Sequence, residues 1–503
     1  MGGLFMNIKK TILLVSAAIL LLSLFLGSCQ TGSEKDDDKN TGNPEQAETA
    51  GDQKEANIYP DLEAKDFGGY EFTFLSRLNS NWFTEEWDHR DLFSEKINGE
   101  IINDAIFNRN KKIEEKYNIK INEIAVQYDQ FIPKVSQAVK AGDDIYDTLC
   151  THLVSEIATL AQGGNIIDLF SMPVIDFAKP WWNQGGIKDL SIARKLFILP
   201  GDLFILGNDS MEAMIFNKSV LKENALENPY EIVKAGEWTF DKLIIMIKGV
   251  SKDLNGDGKM DPKDDMFGCL LQADTDLSFI VSGGEKICAK DENDYPVITF
   301  GSDKCYRITE AVSALMLDTD NVVNLHRLGE LGYPTQIQMM EENRALFSWV
   351  RMRVVESLRG MEMDFGIIPL PKLDNTQEKY ITHMNPYTGV GVSITPVASN
   401  LERTGMILED LCAESKYTLQ PAYYEINLRG KFVRDDDSYE MLDIILSNTA
   451  YDIGYIYDFG GFANTILFFG TNKKTEYAST FEKMEPKMQI DIDKTIEMYE
   501  KIN

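Results

Sequence analysis

Between residues 70 and 165 the chain alternates short β-branched or aromatic runs with amphipathic stretches, and this alternation does most to narrow the fold class. Tyr70–Leu75, introduced by Phe67-Gly68-Gly69, reads as a strand. Asn98–Tyr117 reads as a helix, because Ile97, Ile101, Ile102, Ile106 and Ile113 fall at helical intervals. Ile119–Val126 returns to strand, Phe131–Ala141 to helix and Tyr146–Cys150 to strand, and Ser155–Gln162 is a helix closed by Gly163-Gly164. Alternation at this spacing predicts an α/β fold, with a largely parallel sheet covered by helices.

The pattern loosens and then resumes. Leu203–Asn217 carries strand signals, and polar helices follow through Lys222 and from Trp238 to Val250. A second strand–helix set runs from Phe267 to Arg359. Phe365-Gly366-Ile367-Ile368-Pro369-Leu370-Pro371 is extended and Pro-stopped, which reads as a crossover and not the interior of an element. Gly389–Thr395 is a buried-strand run and Leu401–Ser415 a helix. The last hundred residues are mostly helical and end in an amphipathic Ile490–Ile502. No internal repeat of fixed period is present.

The first residues speak to compartment. Lys9-Lys10 precede an apolar run, Thr11–Leu26, that stops at Leu26-Gly27-Ser28-Cys29. A charged start, a short apolar core and small residues at its end are the parts of a signal peptide. The core is shorter than the ~20 residues that span a bilayer as a helix. Leu-Gly-Ser-Cys resembles the bacterial lipobox, which implies lipidation of Cys29 and removal of residues 1–29. Residues 30–57 are polar and acidic, include Asp36-Asp37-Asp38 and hold no aromatic residue. Such a composition cannot offset the entropy of ordering, so it reads as a tether.

Beyond the tether lie roughly 445 residues, enough for two or three domains at ~150 residues each. The formal net charge is −30, without a Lys/Arg-rich block. Nucleic acid and anionic lipid surfaces are repelled by such a chain, and neither is an expected partner. Past Cys29, the cysteines are Cys150, Cys269, Cys288, Cys305 and Cys412, an odd and widely spaced set. They read as buried free thiols, although Cys288 and Cys305 could pair across a hairpin.

The sharpest local motif is Asp253-Leu254-Asn255-Gly256-Asp257-Gly258-Lys259-Met260-Asp261-Pro262-Lys263-Asp264, which matches a calcium loop of the EF-hand kind. Asp253, Asn255 and Asp257 supply oxygens at positions 1, 3 and 5, and Gly258 permits the sharp turn. Lys259 offers its carbonyl, Asp261 acts directly or through water, and Asp264 stands where Glu is usual. Four carboxylates in so short a run repel one another without a cation. A solvated acidic turn is the plainer alternative. Structural Ca²⁺ is the expected cofactor.

Catalysis has little support. The histidines are His89, His152, His326 and His383, with no metal-ligand spacing among them. There is no H-E-x-x-H, G-x-S-x-G, phosphate-cradling G-x-x-x-x-G-K-[ST] or dinucleotide glycine fingerprint. No enzyme activity is expected.

Several stretches in order resemble the extracellular solute-binding proteins of ABC sugar importers. They are Lys65-Asp66-Phe67-Gly68-Gly69-Tyr70-Glu71-Phe72, then Tyr146-Asp147, Leu160-Ala161-Gln162-Gly163-Gly164 and Asp168-Leu169. Trp181-Trp182 ahead of Gly201-Asp202 follows, then Ala345-Leu346-Phe347, Leu358-Arg359, Met363-Asp364-Phe365-Gly366 and Pro369-Leu370-Pro371. The resemblance implies a two-lobed, type II periplasmic-binding-protein-like fold with a hinge and a ligand cleft between the lobes. The expected division is residues 58–200 with 366–420 in one lobe, and 201–365 with 421–503 in a second, more helical lobe carrying loop 253–264. It further implies a monomer anchored by lipid at the outer face of the cell membrane, handing a carbohydrate to ABC permease subunits. A receptor for peptide or another small solute is the alternative on the same scaffold. A surface protein that binds or hydrolyses polysaccharide is a third class.

Sugars present an apolar ring face and an edge of hydroxyls, so aromatic, amide and carboxylate side chains near strand ends are the candidates to bind one. These are Asn81, Trp82 and Trp87 after the first strand, His152 after Cys150, and Trp181 and Trp182 after Pro180. Asn208 and Asp209 lie in a loop-like stretch, Trp349 precedes Arg351, and Asn385 and Tyr387 flank Pro386. Each tryptophan has a plain alternative as core packing.

Overall fold

The computed structural model describes residues 58–78, 88–358, 363–429 and 436–502. The leader, Cys29, the tether, and Asn81, Trp82 and Trp87 lie outside the described residues.

The first lobe is built from the alternation visible in the sequence. Strand β1 (Tyr70–Leu78) is followed by helix α1 (Ile101–Tyr117), β2 (Ile119–Gln127), α2 (Tyr128–Ala141), β3 (Thr148–His152) and α3 (Glu156–Gln162). Helix α1 starts later than its apolar period suggests, because the Glu100 side chain accepts from the amides of Ile102 and Asn103. It ends at Asn118, whose left-handed backbone turns the chain directly into β2. β1 pairs in parallel with both β2 and β3. Phe72 to Arg77 are all buried, as a central strand covered on both faces requires.

The second lobe holds a mixed five-stranded sheet. Its strands are β4 (Glu212–Asn217), β5 (Phe267–Leu271), β6 (Val322–Asn324), β7 (Ala345–Arg351) and β8 (Phe365–Ile368), in spatial order β8-β4-β7-β5-β6. β5 pairs in parallel with β6 and β7, while β4 runs against both β7 and β8. Here the structure corrects the reading of residues 365–371: Phe365–Ile368 is an edge strand of this sheet, and only Pro369 ends it. The expected lobe boundary at residue 366 therefore cuts an element of the second lobe. Strand β9 (Val390–Ser393) lies antiparallel to β3, giving the first sheet the order β9-β3-β1-β2. The chain thus enters the second lobe near Ser210 and returns over residues 384–390. The two crossing segments touch through an antiparallel bridge between Met211 and Met384.

Helix α4 (Leu401–Tyr417) packs against α1 in the first lobe. The C-terminal helix α5 (Tyr477–Glu500) reaches both lobes: Phe481 packs on Phe300, and Tyr499 lies 4.6 Å from Phe197 between ring centroids. Cys150, Cys269, Cys288, Cys305 and Cys412 are free and buried, so Cys288 and Cys305 do not pair. Among the described residues no helix is long and apolar enough to cross a membrane.

Candidate functional site

In open α/β sheets ligands bind outside the carboxyl ends of the strands. Those ends meet at the crossing segments, where β1, β3 and the loop after β5 deliver polar side chains. On the first-lobe side, Arg77 near the end of β1 donates to Glu156 Oε1 (2.7 Å) and to the Tyr387 carbonyl (2.9 Å). The His152 amide donates to the other oxygen of Glu156 (2.7 Å). Burial raises the Glu156 carboxyl above its ordinary range, and Arg77 opposes that shift.

His152 is fully buried at the end of β3. Burial first, then Arg77, pushes its imidazole well below the ordinary histidine value, so the ring is neutral at neutral pH. Its Nδ1 sits 3.4 Å from the Tyr387 carbonyl, which can only accept, so the proton is on Nδ1. Nε2 is then an acceptor, and among the described residues it has no hydrogen-bond partner.

The crossing segments carry the most connected part of the site. Asn385 Nδ2 donates to Glu212 Oε1 (3.0 Å) and to Asp274 Oδ2 (2.8 Å), linking β4 to the loop after β5. Its Oδ1 accepts from the Tyr387 amide at 3.1 Å. The Tyr387 hydroxyl donates to Asn464 (3.1 Å), and Tyr455 lies edge-on to Tyr387 while stacking on His383. Burial, with the Asp274 charge behind it, pushes the Tyr387 phenol up to about 12, so it stays a neutral donor. Asp274, Tyr387 and Asn464 keep exposed surface here, backed by the buried Asn385 and Tyr455, so a carboxylate, a phenol and an amide share one wall, groups of the kind that read a polyhydroxylated solute.

Other candidates are placed differently. Asp209 is buried, with Arg90 at 3.2 Å and Arg353 at 3.8 Å, so it acts as a charge partner within the wall. Asn208 turns the other way and donates to Gln420 (2.6 Å). Trp181 and Trp182 are 0% and 2% exposed in the first-lobe core, where the Trp182 indole donates to Glu409 (2.9 Å). Trp349 is also buried, with the Arg351 guanidinium 5.9 Å from its ring. In this conformation none of the three tryptophans offers a ring face to the wall that holds Asn385 and Tyr387. Sequence reading missed Asp274, Glu212, Arg77, Tyr455 and Asn464. Asp274 was within reach, since it stands three residues past the end of a buried strand.

In loop 253–264, Asp253 accepts from the amides of Gly256 (2.6 Å) and Gly258 (2.7 Å), and Asn255 from Asp257 (2.9 Å). Gly258 has φ +78, the left-handed turn expected of the sixth loop position. Asp265 closes the loop by accepting from Leu254 (2.9 Å) and Asp261 (2.8 Å), while Asp264 is exposed. The donors are all hard oxygens, the type calcium takes. Among the described residues no three His, Cys, Asp or Glu side chains converge on one point.

No family model matches this chain, and no curated protein does. Solved structures do. A cyclo/maltodextrin-binding protein complexed with maltotetraose superposes with a TM-score of 0.56 at 12% identity, covering 84% of this chain and 97% of the other. M. tuberculosis UspC gives 0.55 at 11% identity, with 84% and 100% covered. An ABC substrate-binding protein from Listeria monocytogenes in complex with cycloalternan gives 0.53 at 13%, with 85% and 99% covered. At these identities the likeness is one of fold: the chain has the two-lobed, hinged α/β fold of these substrate-binding proteins, with its cleft between the lobes.

Proposed function

We propose that this protein is the solute-binding component of an ABC importer and captures a carbohydrate, an oligosaccharide by preference, between its lobes for delivery to the permease. The observation that carries the reading is the wall formed by Asn385, Asp274, Tyr387, Tyr455 and Asn464 at the carboxyl ends of both sheets. Support also comes from the fold, which solved oligosaccharide complexes share. His152 adds a neutral acceptor, and Asn81, Trp82 and Trp87 belong to the same reading from their place after β1. Lobes that both touch one solute bias the hinge toward closure. No bond in the solute need break.

In the same reading, Cys29 is acylated and the polar run 30–57 holds the body off the outer face of the membrane. Loop 253–264 takes a structural Ca²⁺ through Asp253, Asn255, Asp257, Lys259, Asp261 and Asp264, which its spacing and oxygen donors support; bound there, the ion would brace the second lobe. The test is titration calorimetry of the full chain against a panel of linear and cyclic oligosaccharides. Binding confined to peptides or polyamines would replace the carbohydrate reading, and turnover of a polysaccharide would overturn the non-enzymatic one.

A further inference from the structure

Alternate residues of an extended segment face opposite sides. On the crossing segments, Glu212, His383 and Asn385 face the carboxyl-end wall, while Met211 and Met384 face away from it, into a second cavity of about 310 Å³. Its first-lobe side is Trp182 and Asp202, and its second-lobe side is Ser447 and Tyr451, on a segment that pairs with Thr382–His383. Both lobes and both crossings therefore contribute to one space behind the hinge.

The lining is mixed. Trp182, Met211 and Tyr451 bring apolar and aromatic surface; Asn183, Asp202 and Asn208 bring amides and a carboxylate. Asp202 lies 3.4 Å from Lys416, so its charge is countered and the cavity does not demand a cation. The volume sits at the low end of the roughly 300–1,000 Å³ of ligand pockets, which fits a single small ring and excludes an oligomer. Gly207 borders the space, and a Cβ built there would meet nothing within 4 Å.

We propose that this cavity is a second binding site, for a small neutral polyhydroxylated molecule of monosaccharide size, and that its occupant holds the hinge at the angle seen here. The occupant would touch Trp182 and Asp202 from one lobe and Tyr451 from the other, so its binding free energy differs between lobe angles. By linkage, it and the cleft solute then alter each other's affinity by the same factor. The site stands apart from the cleft and does not depend on what the cleft binds.

The test is ligand-observed NMR of D-glucose with the full chain, comparing Gly207→Leu, Ser447→Trp and Tyr387→Ala. Gly207→Leu adds bulk at a lining position where a Cβ meets nothing within 4 Å, and Ser447→Trp adds it at a lining position of the opposite lobe. Glucose saturation transfer is expected in the native protein, retained in Tyr387→Ala and weakened about tenfold or more in both filling variants. The proposal is overturned by an absence of signal in the native protein, by signal unchanged in both filling variants, or by signal lost in Tyr387→Ala alone, which places glucose in the cleft. A parallel denaturation curve shows whether each variant is folded; should one of the two fillers fail to fold, the other decides.

Discussion

Nδ1 of His383 donates to Glu212 Oε2 at 3.0 Å, with both side chains buried, and this bond ties the outgoing crossing of the chain to the returning one. Glu212 also receives Asn385, so one carboxylate fixes two residues of the returning segment. The hinge is therefore held by a polar junction as well as by the Met211–Met384 bridge.

Removing that carboxylate leaves two buried donors without it. Glu212→Ala is expected to destabilise the fold by about 3 kcal/mol, the scale of leaving two buried hydrogen-bond donors unsatisfied. Chemical denaturation of the two proteins checks it. A loss below about 1 kcal/mol would mean that water reaches the junction and replaces the contact.

In the proposed reading, Asn385 and Tyr387 stand between the junction and the solute. Tyr387→Phe removes only the hydroxyl that donates to Asn464, and a change of about tenfold or less in solute affinity is expected. Asn385→Ala frees both Glu212 and Asp274 and should weaken binding by a larger factor. Calorimetric titration of both variants decides, and equal affinities would place the solute elsewhere.

Asp276 gives the fold a pH dependence of known sign. It is buried next to the Gly470 amide (2.8 Å), and burial raises its carboxyl to about 7, against an ordinary 3.8. The folded state thus binds a proton the unfolded state has already lost, and stability falls as pH rises from about 4 through about 7. Asp276→Asn should flatten that slope. Denaturation midpoints at about pH 5 and about pH 8 measure it; an unchanged slope assigns the effect to another group.

The 253–264 loop should respond to calcium at dissociation constants of order 10⁻⁴–10⁻³ M, the range of extracellular modules. Saturating Ca²⁺ is expected to raise the thermal midpoint and a chelator to lower it, through binding to the folded state alone. Asp253→Ala, which also removes the acceptor of Gly256 and Gly258, should abolish the calcium response. A midpoint indifferent to calcium in the native protein would leave the loop a solvated turn.

How much of this was legible in advance follows from the range of each interaction. Strands β1, β2 and β3 and helix α1 could be read because periodicity and capping act over a few residues: Phe72, Phe74 and Ile113 carry their own pattern. Phe365–Ile368 was misread, since an edge strand and a free crossover look alike until a partner such as β4 is known.

The site divides in the same way. His152 and Tyr387 could be named as candidates from their place beside strand ends, whereas Asp274 and Glu212 become neighbours of Asn385 only across 111 and 173 residues of chain. The side of the hinge each residue faces was also out of reach: Trp182 and Asn208 border the rear cavity, not the wall of Asn385 and Tyr387. By itself the sequence determined the α/β class, the acidic surface, the oxygen-rich loop and the order of β1, β2 and β3 along the chain. Tertiary structure alone decided which polar groups converge and which tryptophans are core, because burial and long-range pairing are properties of the packed chain and no local window contains them.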